Sequence, residues 1–311
     1  MKPHAGKLVV TGVAALILAP ILLYLEFQHG IWQKFQFERQ TKAYLAATYD
    51  EEMTVASVRY LWDNIEPLVA TAYPDSDPSL RFYVNRSENR KSGFSDNYAT
   101  TLWMRQAEEE AESILAEVVP EYARSATIDF TCCDVADYDY ESIRGVVPHV
   151  GTTRLPFDLA VGLERPMLAA DLESMYRSAA ALRESDWLVL GNLAFRFPLP
   201  ATGGTVQFEL PGEAVRTVAS AAEMEAYNAT RLPARQLAER IGASLEWNKE
   251  TNEAVFTRDG KTLVVRSWGD EAVLNGTPFQ IEVDVYIGES SELLVPVRIV
   301  ERAFGRKIVL W

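Results

Sequence analysis

An internal repeat decides the fold of the last part of the chain: Leu232-Pro-Ala-Arg-Gln-Leu-Ala-Glu-Arg-Ile-Gly242 is matched by Val295-Pro-Val-Arg-Ile-Val-Glu-Arg-Ala-Phe-Gly305. Six residues recur at the same spacing, namely Pro233, Arg235 and Gly242 in the first copy and Pro296, Arg298 and Gly305 in the second. Proline suits the first turn of a helix, and glycine suits the left-handed position just past its end. Each copy therefore predicts one helix followed by a strand, at Ser244 to Trp247 and at Ile308 to Leu310.

The segment between the two copies reads as a series of short strands. Asp259-Gly260 and Asn275-Gly276 are strong hairpin dipeptides, because both central residues of the matching turn need a positive φ. Apolar strand positions are supplied by Val255, Val265, Val273 and Phe279. The pattern predicts a small α+β C-terminal domain, residues 205–311, made of a helix, several hairpin strands, a helix and a strand.

This region is similar to the copper amine oxidase N-terminal-like, or stalk, domain over about residues 230–311. The resemblance is carried by Leu232-Pro-Ala-Arg235, Gly242-Ala-Ser-Leu-Glu-Trp247, Gly260-Lys-Thr262 and Asn275-Gly276. It implies an accessory module of exported bacterial proteins, without copper or quinone chemistry. The chain has three histidines, His4, His29 and His149, which do not form the cluster that copper catalysis requires. We therefore expect no cofactor and no amine oxidase activity.

The N-terminal region contains an uncharged run from Leu8 to Leu25. Eighteen helical residues at ~1.5 Å each extend about 27 Å, close to the hydrocarbon thickness of a bilayer. A cleaved signal peptide is the alternative, but no small-x-small site follows the run, and Ala19 precedes Pro20. The sequence predicts that residues 1–29 are a tail and a transmembrane helix that contacts the lipid bilayer through residues 8–25.

The orientation of this helix follows from the length of what comes after it. Lys2 and Lys7 lie on one side, while Lys34, Arg39 and Lys42 lie on the other, so flanking charge does not decide. A short positive tail usually stays inside, and a long domain is translocated largely regardless of its charge. The protein is thus predicted to be a single-pass cell-membrane protein with its C-terminal portion extracytoplasmic.

Residues 30–204 are predicted to form an α+β domain with a mainly antiparallel sheet. The predicted elements are a helix at Trp32–Tyr49, strands around Val58–Trp62, Leu68–Ala72 and Leu80–Val84, a helix from Ser95 or Asp96 to Val118, strands at Ile128–Cys132 and Leu159–Val161, a helix from about Pro166 to Glu184, and a strand at Trp187–Phe197. The stretch Pro198-Leu-Pro-Ala-Thr-Gly-Gly204 is the boundary linker.

About residues 30–197 resemble the YfjL-like family of small membrane-anchored bacterial proteins. The motifs are Tyr44-Leu45 with Tyr49, Tyr73-Pro-Asp-Ser-Asp-Pro-Ser-Leu-Arg-Phe82, and Ser95-Asp-Asn-Tyr98 leading to Trp103. The function of that family is unknown, so the resemblance implies no catalytic residues.

The formal net charge of −14 is concentrated before residue 231. Residues 231–311 hold 11 Lys+Arg and 12 Asp+Glu, which leaves 19 and 32 for residues 1–230. A negative field repels phosphate backbones, so the sequence excludes nucleic acid as a partner. The near-neutral C-terminal domain is the surface expected to contact the cell wall or another exported protein.

The best candidates for a cation site are Asp134, Asp137, Asp139 and Glu141, because Ca²⁺ prefers several hard oxygens close together. The period of two of Asp137, Asp139 and Glu141 is also typical of the wet face of an edge strand, which is the favoured interpretation. Adjacent Cys132 and Cys133 point to opposite faces of a strand and are interpreted as structural.

Together these patterns predict a non-enzymatic, membrane-anchored extracytoplasmic binding or interaction protein of the cell envelope. No catalytic residues are assigned. Two alternatives stay open. One is an enzyme that uses carboxylates of the first domain, with His149 beside Asp134 and Asp137 or paired with a cysteine. The other is a membrane sensor or assembly factor.

Overall fold

The computed structural model describes residues 29–61, 67–130, 143–199, 204–281, 283–288 and 291–310, together with residues 20, 24 and 26. The chain divides into two compact units: unit 1 comprises residues 1–106 and 136–152, and unit 2 comprises residues 107–135 and 153–311. Within the described ranges, helices are mixed with four sheets whose neighbouring strands are antiparallel in all but one pair. The predicted α+β class is therefore confirmed.

In the described part of unit 1, a helix packs on a four-stranded antiparallel sheet in the order β1-β2-β3-β4. The elements are α1 (Ile31–Thr48), β1 (Met53–Tyr60), β2 (Leu68–Pro74), β3 (Phe82–Arg86) and β4 (Phe94–Asp96). Alternate residues of β2 and β3 are buried, as a sheet covered on one face requires. Phe37 and Leu45 of α1 pack in the same core as Phe82 and Val84. The helix and the first three strands agree with the sequence prediction.

Helix α2 (Tyr98–Val118) follows β4 directly. Its first N–H, on Tyr98, donates to Oδ1 of Asp96 at 2.9 Å, which is the capping role predicted for that aspartate. Residues 143–152, which lie later in the chain, are bonded to other parts of unit 1. Gly145 N–H donates to the Thr48 carbonyl at 2.7 Å, and the indole N–H of Trp103 donates to the Pro148 carbonyl at 2.8 Å. These bonds attach the segment 143–152 to unit 1.

Unit 2 begins with a sheet in the order β5-β6-β7-β8. Its elements are α3 (Pro120–Ala123), β5 (Ala126–Phe130), β6 (Pro156–Gly162), α4 (Asp171–Arg183), β7 (Val189–Leu199) and β8 (Gly204–Pro211). Strands β6 and β7 are parallel, and α4 supplies the crossover that a parallel pair needs. Strand β8 pairs with β7, so residues on both sides of the predicted boundary at 204 share one sheet.

A close approach at the end of β8 makes Gly212 sensitive to substitution. A Cβ at this position would lie 2.1 Å from the Leu190 carbonyl oxygen, so backbone would have to move. We expect Gly212→Ala to lower the free energy of unfolding by about 3 kcal/mol in urea denaturation. Gly162→Ala is the matched control, because its Cβ meets nothing within 4 Å. It is expected to be neutral or slightly stabilising, and equal effects would contradict the steric argument.

The C-terminal domain adds two further sheets. Its elements after β8 are α5 (Gly212–Thr217), α6 (Ala221–Met224), β9 (Arg231–Pro233), α7 (Ala234–Ile241), β10 (Ser244–Asn248), β11 (Glu253–Arg258), β12 (Lys261–Arg266), β13 (Glu271–Leu274), β14 (Thr277–Gln280), β15 (Tyr286–Ile287), β16 (Leu293–Pro296) and α8 (Val297–Phe304). Strands β10 to β14 form an antiparallel meander, and a second sheet has the order β15-β16-β9. Asp259-Gly260 and Asn275-Gly276 have positive φ at both positions, as predicted for the hairpins.

The two copies of the repeat form equivalent strand–helix units. Gly242 and Gly305 end their helices with φ of 68° and 67°, which confirms the predicted glycine role. Strands β9 and β16 pair antiparallel with Val295 opposite Leu232, and these two residues are themselves repeat equivalents. Exchanging the two copies therefore leaves the residue pairs of these strands unchanged, as a twofold rotation axis through the Val295–Leu232 pair would.

The strand predicted at Ile308 to Leu310 is wrong. These residues belong to no sheet, although Ile308 and Leu310 are buried. Side chains bind their backbone instead: Ile308 N–H donates to Oε1 of Glu301 at 2.7 Å, and Nη1 of Arg240 donates to the Val309 carbonyl at 3.0 Å. With these groups satisfied locally, the segment does not need a strand partner.

Among the described residues, no helix combines the length and the apolar character needed to cross a bilayer. The predicted span, residues 8–25, lies outside the described part of the chain except for residues 20 and 24. The membrane anchor stays a prediction.

Candidate functional site in the C-terminal domain

A cleft of about 620 Å³ lies beside α8, within unit 2. Its described walls come from α8 and the residues after it, from the end of β14, and from the turn that carries Glu225 and Ala226. Apolar surface is supplied by Phe279, Ile281, Val283 and Ile299. We name this feature the basic cleft, because four cationic side chains line it against two carboxylates. Its volume lies within the range typical of small-ligand sites.

The cations are positioned by the helical repeat. Arg298 and Arg302 are four residues apart on α8 and so share one face of the helix. Arg306 follows four residues later, immediately after Gly305 turns the chain out of the helix with its left-handed φ. Three arginines, two from one face of α8 and one from the residues after it, therefore line the cleft.

Both carboxylates of the cleft already have partners. Oε2 of Glu225 accepts a hydrogen bond from Nζ of Lys307 at 2.6 Å, and this bond raises the pKa of Lys307. Oε1 of Glu301 accepts the Ile308 N–H at 2.7 Å. Arg298 donates to the Ala226 carbonyl. Lys307 and Arg298 are thus engaged by groups of the protein, whereas Arg302 and Arg306 form no ion pair within the described ranges.

The guanidinium of Arg302 lies over an aromatic ring. Its carbon is 4.7 Å from the centroid of Phe279, a cation–π geometry. The guanidinium group is planar and carries its N–H donors in a rigid fork. A planar fork of this kind matches the two oxygens of a carboxylate or a phosphate. The cleft can therefore bind an oxyanion next to apolar surface.

The edge of β14 limits what else the cleft can hold. Ile281 N–H donates to the Asp270 carbonyl at 2.8 Å. Because alternate residues of a strand direct their N–H and C=O groups to the same side, those of Phe279 also point towards β13, where Phe279 pairs with Ala272. The outward positions are then Pro278 and Gln280. Because Pro278 has no N–H, this edge is a poor template for an added strand. The side chains of the cleft, and not its backbone, are its recognition groups.

The sequence-predicted repeat residues divide between the two copies. Pro296, Arg298 and Gly305 of the second copy line the basic cleft. Their first-copy equivalents are not among its described lining, and Arg235 is exposed. These six residues were predicted to have structural roles alone, and Arg302 and Arg306 were not predicted as site residues. The spacing of four between the three arginines was the available signal.

The predicted cation candidates, Asp134, Asp137, Asp139 and Glu141, lie outside the described residues, as do Cys132 and Cys133. His149 is exposed, and its Nδ1 accepts the Gly151 N–H at 3.1 Å. Within the described ranges, no group of three His, Cys, Asp or Glu side chains is placed to hold a metal ion. The structure thus leaves the proposed calcium site untested.

A polar cluster in unit 1 collects the motifs of the YfjL-like resemblance. Asp96 accepts hydrogen bonds from the hydroxyls of Tyr44 at 2.6 Å and Tyr49 at 2.8 Å, besides capping α2. Burial, followed by the charge of Asp96, raises the pKa values of both phenols. Tyr98 donates its hydroxyl to Glu51. Every tyrosine donates to a carboxylate, so the cluster is a structural one that joins α1 to β4.

A second polar cluster lies in unit 2. Arg165 forms two hydrogen bonds to Glu121, both at 2.9 Å, and two to Asp171, both at 2.8 Å. Asp171 is 3% exposed and also accepts the Tyr122 hydroxyl and the Leu168 N–H. Burial alone would raise the pKa of Asp171, but the bonds from Arg165 and Leu168 hold it below its ordinary value. Each carboxylate oxygen of Asp171 therefore accepts two hydrogen bonds from the protein, so this cluster is also structural.

Comparison with known proteins gives one family match, for the C-terminal part. Residues 211–310 match the copper amine oxidase N-terminal domain model, which covers less than half of the chain. No curated protein matches. Among solved structures, a DUF5037 family protein from Ruminococcus gnavus is 12% identical, with a TM-score of 0.31, and the alignment covers 62% of this chain and 98% of that chain. The YfjL-like resemblance stays a prediction. Both copies of the repeat and the basic cleft therefore lie within the part of the chain that matches the copper amine oxidase N-terminal domain.

Proposed function

We propose that the protein is a membrane-anchored, extracytoplasmic binding protein whose C-terminal domain binds an anionic polymer of the cell envelope. The basic cleft carries this proposal. The cleft is lined by four cationic side chains and two carboxylates, although the chain as a whole has a net charge of −14. The negative charge of residues 1–230 repels an anionic partner, whereas the cleft attracts it, and this difference favours binding at the cleft.

The chemistry of the cleft supports a polymer with repeated oxyanions. Arg302 of α8 and Arg306, which follows the helix, both line the cleft, so it offers two cationic groups to neighbouring oxyanions. The exposed pair Lys307–Glu225, with side chains 72% and 46% exposed, contributes little to stability and can exchange its carboxylate for a ligand oxyanion. Phe279 and Ile299 provide apolar contact for the linker between such groups.

Charge reversal in the cleft is the test. We expect the Arg302→Glu/Arg306→Glu variant of the full-length protein to lose about tenfold in affinity for isolated cell walls that retain their anionic polymers, because two oxyanion contacts become repulsive. Binding is measured by cosedimentation in detergent. The loss should shrink as salt is raised.

The matched control is Arg235→Glu/Lys249→Glu, which changes the charge equally at exposed positions outside the cleft. It should bind within about twofold of the unmodified protein. Equal losses in both variants would show a general effect of charge, and an unmodified protein that fails to sediment would overturn the proposal. The enzyme alternative depends on residues 134–141, outside the described ranges, and stays a prediction.

A further inference from the structure

A second surface of the C-terminal domain presents an aromatic ring to solvent. Trp268 is 76% exposed, which is the largest value for an aromatic side chain among the described residues. It follows β12 and lies outside the lining of the basic cleft. Exposing a whole indole forfeits the burial that such a side chain normally gains. The position therefore requires an explanation.

The backbone of Trp268 is also unusual. Its φ of 61° is in the left-handed region, which a bulky residue rarely adopts. Three of the other five non-glycine residues with positive φ are Asn or Asp, which tolerate this region. The strained conformation is fixed by two hydrogen bonds, from Trp268 N–H to the Val285 carbonyl at 2.7 Å and from Gly269 N–H to the Arg266 carbonyl at 3.3 Å. Strain that the surrounding structure maintains is a pointer to function.

The ring is supported from one side by a built column. The Tyr286 ring lies 6.0 Å from Trp268 at an interplanar angle of 31°, and the Arg231 guanidinium lies 5.4 Å from the Tyr286 centroid. Arg231 is itself fixed, because its Nε donates to the Asp284 carbonyl at 2.9 Å. The column Arg231–Tyr286–Trp268 is thus anchored at its base, with the indole as its exposed end.

The surroundings of the column are polar. Ser267, before the indole, is buried, and its Oγ has no hydrogen-bond partner in the described part of the chain. Arg266 pairs with Glu253 at 2.6 Å, and Asp270 is exposed. Ile287 alternates with Tyr286 along β15 and so points to the other face. The apolar surface of this one ring pair is far smaller than the roughly 800 Å² that each partner buries in a stable protein interface, so the surface suits a small ligand better than a protein.

We propose that Trp268 is a stacking platform for a sugar ring of a neutral glycan strand. A pyranose has an apolar C–H face, which packs on an indole, and a rim of hydroxyl groups, which exposed polar neighbours such as Arg266 and Asp270 can bind. That combination fits an isolated, rigidly held ring within a polar surface. The platform is independent of the basic cleft, since its ligand carries no charge and none of the residues of its column lines the cleft.

The test uses the full-length protein in detergent and a hexasaccharide of β-1,4-linked N-acetylglucosamine, titrated by calorimetry. Trp268→Asn removes the ring but keeps a residue that tolerates the left-handed backbone. We expect this variant to lose about tenfold or more in affinity, with a melting temperature equal to or above that of the unmodified protein. Trp268→Tyr should retain part of the affinity.

Trp247→Ala is the matched control, because it removes another partly exposed tryptophan, 39% exposed, from the same domain. Its affinity should be unchanged. Failure of the unmodified protein to bind the hexasaccharide, or equal binding by Trp268→Asn, would overturn the proposal. So would a photo-crosslinker at position 268 that captured a protein whether or not the hexasaccharide was present. Because the hexasaccharide carries no charge, these outcomes test the platform separately from the proposed binding of an anionic polymer at the basic cleft.

Discussion

Arg165→Met is expected to lower the free energy of unfolding by about 3 kcal/mol at neutral pH. The substitution keeps the length of the aliphatic stem but leaves Asp171, 3% exposed, without its cation. An uncompensated buried carboxylate costs more than the ion pair itself contributed, so the loss is large although Arg165 is partly exposed. Urea denaturation followed by tryptophan fluorescence measures it.

The pH dependence identifies the carboxylate responsible. In the unmodified protein the pKa of Asp171 lies below its ordinary value, so its contribution is complete above the unfolded value and is lost as pH falls through the folded value. Without Arg165, burial is expected to raise the pKa of Asp171, and protonation then favours the folded state. The difference in stability between the two proteins should therefore shrink as pH falls, beginning at the raised pKa of the variant and ending at the lowered pKa of the unmodified protein.

Arg216→Met serves as the control, because Arg216 pairs with Glu213 on the surface, with side chains 58% and 79% exposed. It should cost less than about 1 kcal/mol. A loss for Arg165→Met that did not change with pH would indicate lost packing and not a stranded charge.

Trp103→Ala should cost about 4 kcal/mol, because this side chain is fully buried and a cavity would replace its large volume. The lost indole N–H would also leave the Pro148 carbonyl without the bond at 2.8 Å. Hydrogen exchange should increase through residues 143–152, the segment that this bond holds in unit 1. Thermal unfolding and exchange mass spectrometry measure the two effects.

Two further variants separate packing from hydrogen bonding. Trp103→Phe keeps most of the packing and should cost only about 1–2 kcal/mol. Trp32→Ala removes an indole that is 60% exposed and should be nearly neutral. Unchanged exchange in residues 143–152 with Trp103→Ala would contradict the attachment.

Local chemistry made the repeat and the hairpins predictable. Gly242 and Gly305 adopt left-handed backbone because glycine has no Cβ to clash there. In the pairs Asp259-Gly260 and Asn275-Gly276 the first residue is of a type that tolerates positive φ, so the turns are encoded locally. The pattern of Ile308, Val309 and Leu310 also looks like a strand locally. A strand needs a partner, however, and here Glu301 and Arg240 bind the backbone instead.

The helix predicted from Pro166 begins at Asp171. Leu168 N–H bonds to the Asp171 carboxylate at 2.6 Å, and the Pro166 carbonyl accepts from Arg165, so these residues form a loop that completes the buried cluster. Glu121, which shares Arg165, lies 44 residues away in sequence. No local pattern indicates such a contact.

Only part of the basic cleft could be predicted from the sequence. The arginine spacing on α8 is a property of the helix, and it could be seen in the sequence. Phe279 was predicted as an apolar strand residue, and its contact with Arg302 arises only when β14 and α8 are brought together by the fold. Trp268 gave no pattern at all, because its exposure and its φ are set by the chain around it.

The pairing of β9 with β16 maps onto itself when the two copies are exchanged. Two separate half-length chains, each with one such strand and helix, would meet through the same bonds, as in an isologous dimer. The domain has the form of that dimer fused into one polypeptide by tandem duplication. After such a fusion the halves can diverge, and the first copy has Glu239 and Ala243 where the second has Arg302 and Arg306. The exchange symmetry of the backbone pairing is therefore not shared by Arg302 and Arg306, and the basic cleft lies beside the second copy.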